Sequence, residues 1–269
     1  MMPARAVAWR LVLYPALVLA ALSFALFWAY AHPKRYRGAA TPAAHRLPYE
    51  KIKLLTSDGL ELDGWFIPNK KSRRAIVICH GYPMDKSDVL GMTAFLARDF
   101  NLVYFDFRAM GKSAGTFSTG GAKERRDIAA AVNWLKGRGL GEIGLFGFSM
   151  GGSAALMADD TSIKARAADS PYASLAGELE YTFAGLGIWR RPFMWSLKFW
   201  SLVLTGTSIG SVNPAAAAAG LKGPVLLIHG ENDGHVPAYN SLMIKAALPA
   251  AELWLVKNAD HGECRYAAG

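Results

Sequence analysis

The chain has 269 residues, 52% of them hydrophobic, and its 30 lysines and arginines against 21 aspartates and glutamates give a formal net charge of +9. This length suits one large α/β domain or two small ones, and the composition excludes both a disordered chain and a disulfide scaffold. Five of the basic residues lie in residues 1–37, which contain no acidic residue. The remainder holds 25 basic and 21 acidic residues, a net charge of +4, which argues against nucleic acid as a partner.

The first predicted element is a membrane-spanning helix within residues 1–31. The 21 residues from Leu11 to Ala31 carry no charge, and such a helix is about 30 Å long, the thickness of a bilayer's hydrocarbon core. The sequence therefore predicts a single-pass membrane protein with an N-terminal anchor and a basic flank. A cleaved signal peptide is the main alternative, because Ala29-Tyr30-Ala31 resembles a cleavage site, although the apolar run is longer than such peptides need. A buried core helix is a third reading, and the basic residues on both sides leave the orientation open.

Residues 32–48 contain three prolines and no apolar period, so we predict a linker there. In residues 49–269, short apolar runs alternate with helix-length stretches, which predicts one α/β domain: a mostly parallel sheet with helices on both faces. The predicted strands, of which the first two form a hairpin, are Ile52–Leu55, Leu60–Ile67, Ala75–Cys79, Asn101–Phe105, Glu142–Phe146, Ala165–Ala168, Val225–Ile228 and Glu252–Val256. The predicted helices are Ser87–Arg98, Ala122–Lys136, Met150–Ala158 and Ala238–Ala247.

Residues 174–212 interrupt this alternation and are predicted to form a short helical lid. The segment is dense in aromatic residues and also carries Arg190, Arg191 and Lys198. Its aromatic residues have three readings, all left open by the sequence. They pack within the lid, line an acyl pocket, or enter the headgroup layer beside the anchor, where the basic side chains would face lipid phosphates.

The pattern Gly-x-Ser-x-Gly occurs three times, and its context selects one candidate nucleophile. Ser113 and Ser208 lie in loops that no predicted helix follows. Ser149 instead follows a predicted strand and opens a helix rich in small residues, the strand–turn–helix context in which a sharp turn exposes a nucleophilic serine. Ser149 is therefore the predicted nucleophile. Lys112-Ser113 also resembles the end of a phosphate-binding loop, but Asp106 stands where that motif needs glycine.

A serine nucleophile needs a base and an acid that orients the base. Four histidines lie in the linker or end a buried strand, where a structural role is expected: His32, His45, His80 and His229. His261 follows the last predicted strand, at the same sheet edge as Ser149, and is the predicted base, while His235 lines the pocket in another reading.

Three acids are candidates for orienting this base. Asp233 lies in the loop after the strand Val225–Ile228, and Asp260 and Asp169 are its rivals. The oxyanion of the reaction needs backbone donors. The amide of Met150, directly after the nucleophile, and the amide of Tyr82, after the third predicted strand, are the predicted pair.

The order and spacing of several motifs resemble the landmarks of the α/β-hydrolase superfamily. The motifs are His80-Gly81, Asp106–Ser113, Gly147–Gly151, His229–Asp233 and Asp260–Gly262. Within it, the chain looks most like the N-terminally membrane-anchored, small-lid serine hydrolases of the bud-emergence and serine-aminopeptidase-like type. The resemblance implies an α/β-hydrolase fold, a Ser149–Asp233–His261 triad, and a hydrolase without cofactor or metal that commonly acts on esters.

The sequence departs from this resemblance in two places. Ala109 stands where the superfamily pattern usually has glycine. Only eight residues follow His261, whereas relatives continue into a final helix that covers one face of the sheet. What covers that face is therefore left open by the sequence. A disulfide between Cys79 and Cys264 also stays open, and neither cysteine has zinc-ligand spacing.

From these observations we predict a membrane-anchored serine hydrolase that cleaves carboxylic esters, with lipid-like acyl esters as substrates. The predicted partners are the ester substrate and membrane lipids, without nucleic acid, and the oligomeric state is open. A serine aminopeptidase or amidase is the enzymatic alternative, because acyl transfer to water uses the same groups. A non-catalytic, membrane-tethered binding module that retains the fold is the alternative from another class.

Overall fold

The computed structural model describes residues 4–267, with side chains from Trp9 onward: a long N-terminal helix followed by an eight-stranded sheet with helices on both faces. The strands are β1 (Glu50–Leu55), β2 (Glu61–Ile67), β3 (Arg74–Cys79), β4 (Asn101–Phe105), β5 (Glu142–Phe148), β6 (Ile163–Asp169), β7 (Val225–Gly230) and β8 (Glu252–Val256). The helices are α1 (Ala4–Ala31), α2 (Leu90–Thr93), α3 (Glu124–Gly137), α4 (Met150–Met157), α5 (Leu175–Thr182), α6 (Arg190–Thr205), α7 (Pro214–Ala218), α8 (Tyr239–Ala247) and α9 (Cys264–Ala267).

The sheet has the strand order β1-β2-β4-β3-β5-β6-β7-β8. Strand β2 pairs antiparallel with β1 and β4, and every later pair is parallel. This confirms the predicted hairpin and the mostly parallel sheet. Because parallel strands end at one edge, the loops after β3, β5, β7 and β8 meet there, and these loops carry the predicted site residues.

Strand β4 shows why the buried strands are apolar at nearly every position. All five of its residues are buried. Val103 and Phe105 pack into the core on the α3 side, while Leu102 and Tyr104 pack with Leu90 on the opposite face. Alternate side chains of a strand point to opposite faces, so a sheet covered on both sides needs an apolar residue at nearly every position.

The predicted helix Ser87–Arg98 is shorter in the structure. Helix α2 begins only at Leu90, and the chain continues as a 3₁₀ helix from Ala94 to Arg98. Before α2, the carboxylate of Asp85 accepts a hydrogen bond from the amide of Ser87 at 2.7 Å, and Asp88 accepts one from the amide of Asp85 at 2.9 Å. These side chains compete for amides that a helix would use, so the first turn is a loop.

The segment predicted as a lid is helical and contains α5 and α6. Helix α5 begins where the hydroxyl of Ser174 accepts a hydrogen bond from the amide of Gly177 at 3.1 Å. Phe193 and Leu197 of α6 are buried inside the lid, whereas Trp195 and Phe199 are exposed on its outer face. The lid aromatics therefore divide between internal packing and an outward apolar surface.

The described chain after His261 forms the short helix α9. Cys264 is buried there against Val256 and Ala259. Both cysteines are free, so no disulfide joins Cys79 to Cys264. The guanidinium of Arg265 donates a hydrogen bond to the backbone of Gly91 and stacks over a phenylalanine ring, which attaches α9 to the sheet face beside α2.

Helix α1 is long and apolar enough to cross a membrane. Its stretch Trp9–Ala31 has a mean hydropathy of 2.2, and only 6% of that stretch is buried within the protein. A core helix would be mostly buried, so the buried-core reading does not fit. Length and composition alone do not distinguish an anchor from a signal sequence, and the anchor stays a prediction.

The departure at Ala109 has a measurable consequence. Ala109 has φ +62°, in the left-handed region where glycine is favoured. Ala109→Gly should therefore raise the free energy of unfolding by ~0.5–1 kcal/mol, after the added chain entropy of glycine is subtracted. The thermal midpoint should rise by roughly 2 °C. The matched control is Ala130→Gly inside α3, where glycine should lower stability by about 1 kcal/mol. A lower midpoint for Ala109→Gly would contradict the assignment of strain.

Candidate active site

Ser149 occupies a strained turn between β5 and α4. Its backbone has φ 53° and ψ −119°, and its amide donates a hydrogen bond to the backbone oxygen of Asp169 at 2.8 Å. The turn is tight: a Cβ atom on Gly151 would lie 2.3 Å from the carbonyl oxygen of Cys79, and one on Gly147 would lie 2.3 Å from that of Gly151. Only glycine fits at these two positions. The pattern around Ser149 therefore reflects close backbone packing that presents the serine to a cavity.

The loops after β7 and β8 bring an acid and a histidine together. Nδ1 of His261 lies 2.7 Å from Oδ2 of Asp233. The other carboxylate oxygen accepts hydrogen bonds from the amides of Val236 at 2.8 Å and His235 at 3.0 Å. Burial alone raises the pKa of Asp233, but hydrogen bonds from His229 and His261 lower it by more and hold it well below the usual range. Asp233 is therefore ionised at neutral pH and fixes the orientation of the imidazole.

Ser149 and His261 line the same cavity. Among the described residues, no hydrogen bond joins the serine hydroxyl to the imidazole. Such bonds are often long without substrate and tighten when it binds. The ring of Phe148 lies 4.8 Å from that of His261 and limits its movement on one side.

The two residues whose backbone amides are predicted to bind the oxyanion line this cavity as well. Tyr82 and Met150 are among its lining residues, and Met150 is the first residue of α4. Within residues 4–267, neither amide is used in a hydrogen bond to another backbone group. The amide of a first helical residue has no partner inside its helix, so it is available to an anion.

The rival acids have other contacts. Asp260 is exposed and accepts hydrogen bonds from the amides of His261 at 2.7 Å and Gly234 at 3.0 Å, so it braces the histidine loop. The carboxylate of Asp169 contacts the hydroxyl of Ser170 at 3.2 Å. Among the described residues, Asp233 contacts the imidazole of His261, and neither of these two carboxylates does.

The rival serines and histidines have structural contacts. Ser113 is buried and donates to the backbone oxygen of Asp106 at 2.5 Å. Ser208 accepts a hydrogen bond from the amide of Gly210 at 3.3 Å and caps a 3₁₀ helix. His229 lies 2.6 Å from the hydroxyl of Ser241 and 2.7 Å from the backbone oxygen of Val236. Nε2 of His229 also lies 3.4 Å from Oδ2 of Asp233, but His229 is fully buried and is not among the residues that line the cavity, whereas His261 is.

One group of side chains has the composition of a metal site. Ligand atoms of Asp233, His235 and Asp260 lie within 4.8 Å of one another. Asp233 already accepts hydrogen bonds from the ring of His261 and the amide of His235, and Asp260 accepts them from the amides of His261 and Gly234. These bonds account for the cluster, and we interpret it as the framework that holds His261.

The cavity that holds Ser149 has a volume of about 410 Å³ and extends to α1. Besides the predicted site residues, it is lined by side chains of α1 and of the lid, among them Leu26, Phe27, Leu175, Glu178, Leu179 and Leu197. Sequence reasoning placed α1 in the membrane alone and missed its part in the cavity wall. The run Leu11–Ala31 is apolar on every side, so its sequence does not mark a face that contacts the domain.

Ser23 explains how α1 is attached to the lid. It is fully buried, and its hydroxyl lies 2.6 Å from that of Ser196 in α6. The indole of Trp200 donates to the same hydroxyl at 3.3 Å, and its ring packs on Phe24 at 5.0 Å. The one serine in the apolar stretch was the available signal for this contact, because a buried hydroxyl needs a partner.

A second connection joins α1 to the loop of the predicted oxyanion site. The phenol of Tyr82 donates a hydrogen bond to the backbone oxygen of Tyr30 at 2.6 Å. Burial raises the pKa of Tyr82 to about 12, so the phenol keeps its proton at neutral pH. The end of α1 is thus held against the edge of the sheet that carries the candidate site.

Comparisons with known proteins agree with the fold and place the chain in a family. The structure superimposes on an esterase of Pyrococcus furiosus with a TM-score of 0.71 and 30% sequence identity, covering 86% of this chain and 91% of that one. The fold is that of the α/β hydrolases, which confirms the predicted fold class. The profile of the X-Pro dipeptidyl-peptidase (S15) family matches residues 29–208, more than half of the chain. The protein belongs to this family and is a hydrolase of the esterase and peptidase type.

Relatives of similar length are found in bacteria. The chain is 30% identical over 217 residues to the uncharacterized protein YqkD of Bacillus subtilis, covering 76% of this chain and 70% of that protein. It is 28% identical over 226 residues to the uncharacterized protein YfhR of Escherichia coli K12, covering 79% of this chain and 73% of that protein. Their names assign no substrate, so the activity must be argued from the site.

Proposed function

We propose that the protein is a membrane-anchored serine hydrolase that cleaves carboxylic esters, with lipid-like acyl esters as substrates. The observation that carries this proposal is the strained turn at Ser149, which faces the same cavity as the hydrogen-bonded pair His261 and Asp233. A serine nucleophile, an oriented base and free amides are the parts that acyl transfer requires.

In the proposed mechanism, Nε2 of His261 accepts the proton of the Ser149 hydroxyl while Oγ attacks the ester carbonyl. Asp233, ionised and bonded to Nδ1, stabilises the imidazolium that forms. The amides of Tyr82 and Met150 bind the tetrahedral oxyanion. When this intermediate collapses, the alcohol leaves with the proton from His261. Water then attacks the acyl-enzyme by the same route and releases the acid and free Ser149.

The contact between α1 and the lid supports the membrane part of the proposal. The segment of α1 that packs against the lid begins at Leu19, so only Trp9–Val18 of the apolar stretch Trp9–Ala31, roughly 15 Å of helix, precedes it. A bilayer core is about 30 Å thick. In a protein whose α1 spans it, the outer face of α6 therefore lies in the leaflet that surrounds the C-terminal half of α1. That face is apolar, with Trp195, Leu202 and Val203 exposed. The long side chain of Lys198 can reach the headgroups from there.

The composition of the cavity supports an acyl substrate. Leu26 and Phe27 of α1 and Leu179 and Leu197 of the lid line the same cavity as Ser149. An apolar chain in this space is removed from water, which contributes about 0.8 kcal/mol for each buried methylene group. The similar structure from Pyrococcus furiosus is itself an esterase. These observations favour an ester of a fatty acid.

Family membership favours a second candidate, a peptidase or amidase. The family profile that matches the chain is that of X-Pro dipeptidyl-peptidases. The two activities separate in one assay: p-nitrophenyl esters from acetate to palmitate against aminoacyl and dipeptidyl p-nitroanilides, using detergent-solubilised full-length protein. We expect medium or long acyl esters to be preferred. Preference for a dipeptidyl anilide would contradict the proposed esterase and favour a peptidase. Reaction of only the shortest ester would contradict the proposal that the substrates are lipid-like.

The role of α1 in substrate binding is tested by Leu26→Trp. The larger side chain should fill the part of the cavity between α1 and the lid, so kcat/KM for a dodecanoyl ester should fall about tenfold or more while that for a butyryl ester changes little. Leu22→Trp is the matched control, because Leu22 lies one turn away and is 50% exposed. Equal effects of Leu26→Trp on both chain lengths would contradict an acyl site at this position.

A further inference from the structure

Glu178 in α5 has a buried carboxylate oxygen that no group among the described residues satisfies. Among the described residues, its Oε2 is the one buried side-chain oxygen or nitrogen without a hydrogen-bond partner. Native proteins rarely leave such an atom unpaired, because burial removes the water that it would otherwise bind. Glu178 lines the same cavity as Ser149 and His261. The missing partner is therefore expected in the substrate.

The surroundings of Glu178 define which partner fits. Leu175 and Leu179, on either side of it in α5, line the cavity with apolar surface. No lysine or arginine is among the described lining residues. Burial, and after it the negative charge of Asp233, raises the pKa of Glu178 to about 7. An anionic substrate group at this position would meet the ionised carboxylate of Glu178 and no lysine or arginine. A hydrogen-bond donor would instead satisfy Oε2 of the ionised form.

We propose that Glu178 binds a hydrogen-bond donor of the substrate, a hydroxyl or an ammonium group beside the scissile acyl bond. This inference rests on the proposed function and specifies which esters are preferred as substrates. The preferred substrate has an apolar acyl chain along α1 and the lid, and an uncharged or cationic alcohol part that reaches Glu178. Acyl esters of polyols or amino alcohols meet this description, and esters whose alcohol part ends in a phosphate monoester do not.

The test compares three esters of one acid with the full-length protein: methyl dodecanoate, 1-monododecanoylglycerol and 2-aminoethyl dodecanoate. The esters share the acyl chain and differ in the donor. Each is measured with the wild type, Glu178→Leu and Glu178→Gln. The control variant is Glu180→Leu, because Glu180 is exposed on the same helix. Labelling by a fluorophosphonate probe reports whether each variant keeps a folded, reactive site.

We expect Glu178→Leu to lower the ratio of kcat/KM for a donor-bearing ester to that for the methyl ester about tenfold or more, with methyl dodecanoate still hydrolysed. Glu178→Gln, which keeps an acceptor oxygen, should retain part of the preference for the glycerol ester. A fall confined to the glycerol ester identifies a hydroxyl, and one confined to the aminoethyl ester identifies an ammonium group.

Unchanged ratios in a Glu178→Leu variant that hydrolyses methyl dodecanoate normally would overturn the assignment of Glu178 and leave the proposed function intact. The same change of ratio in Glu180→Leu would also overturn it, because the effect would then belong to the helix. Failure of the wild type to hydrolyse any of the three esters would instead contradict both the proposed ester hydrolase activity and this inference.

Discussion

Replacement of Ser149 by alanine is expected to lower kcat for the best ester substrate by about 10⁴-fold or more, because no other group can form the acyl-enzyme. Binding should be nearly unaffected. The alanine keeps the small side chain that the tight turn needs, so the variant should fold like the wild type, as measured by its thermal midpoint.

Ser208→Ala provides the comparison for this result. Ser208 stands in a second Gly-x-Ser-x-Gly pattern, but it caps a short helix and does not line the cavity described around Ser149. Its replacement should leave kcat within about threefold of the wild-type value and cost at most the roughly 1 kcal/mol of a helix cap. Loss of activity in Ser208→Ala with retention in Ser149→Ala would move the nucleophile to the lid.

Replacement of Asp233 by asparagine should have the second-largest effect, a fall in kcat of about 10⁴-fold. The carboxylate accepts a hydrogen bond from Nδ1 of His261 at 2.7 Å and thereby leaves Nε2 free to act as the base. The side-chain amide of asparagine can donate a hydrogen bond to Nδ1. The imidazole proton then lies on Nε2, which can no longer act as the base. The fold should persist, because asparagine keeps the oxygen that accepts the amides of His235 and Val236.

Asp260→Asn is the matched control for the acid. Asp260 is exposed and precedes His261, but its contacts are with backbone amides. Its replacement should lower kcat less than about tenfold, because only the backbone hydrogen bonds that hold the loop of His261 are weakened. The pH dependence of activity provides a second measurement. Because its pKa is lowered, Asp233 stays ionised far below neutral pH. Any loss of activity between pH 8 and pH 5 must therefore come from other groups. A larger loss from Asp260→Asn than from Asp233→Asn would contradict the assigned triad.

The sheet was predictable because its information is local. The run Leu102–Phe105 of β4 and the run Val225–Ile228 indicate strands buried on both faces without reference to the rest of the chain. The turn at Ser149 was predictable for the same reason, since its glycines and its place between strand and helix lie within a few residues. Where side chains compete with the backbone, as at Asp85 and Asp88, the predicted helix began too early.

The cavity wall was not predictable from local pattern, because it depends on contacts between distant segments. Ser23 and Ser196 are 173 residues apart in the chain and meet only when α1 packs against the lid. Glu178 and Glu180 look alike in the sequence. The fold turns Glu178 toward the cavity and leaves Glu180 exposed. The residues proposed to determine substrate preference could therefore be identified only from the structure. The candidate triad, in contrast, could be predicted from the ends of the strands and the order of the motifs.

The most direct test of the central claim is the site of covalent modification by a fluorophosphonate probe. The full-length protein, solubilised in detergent, is treated with the probe, digested, and its peptides are mapped by mass spectrometry. The account predicts one modified peptide, with the phosphonate on Ser149, and none in Ser149→Ala. Modification of another serine, or no modification of a folded wild-type sample, would contradict a Ser149 hydrolase. The second result would favour a membrane-tethered binding module that keeps the fold.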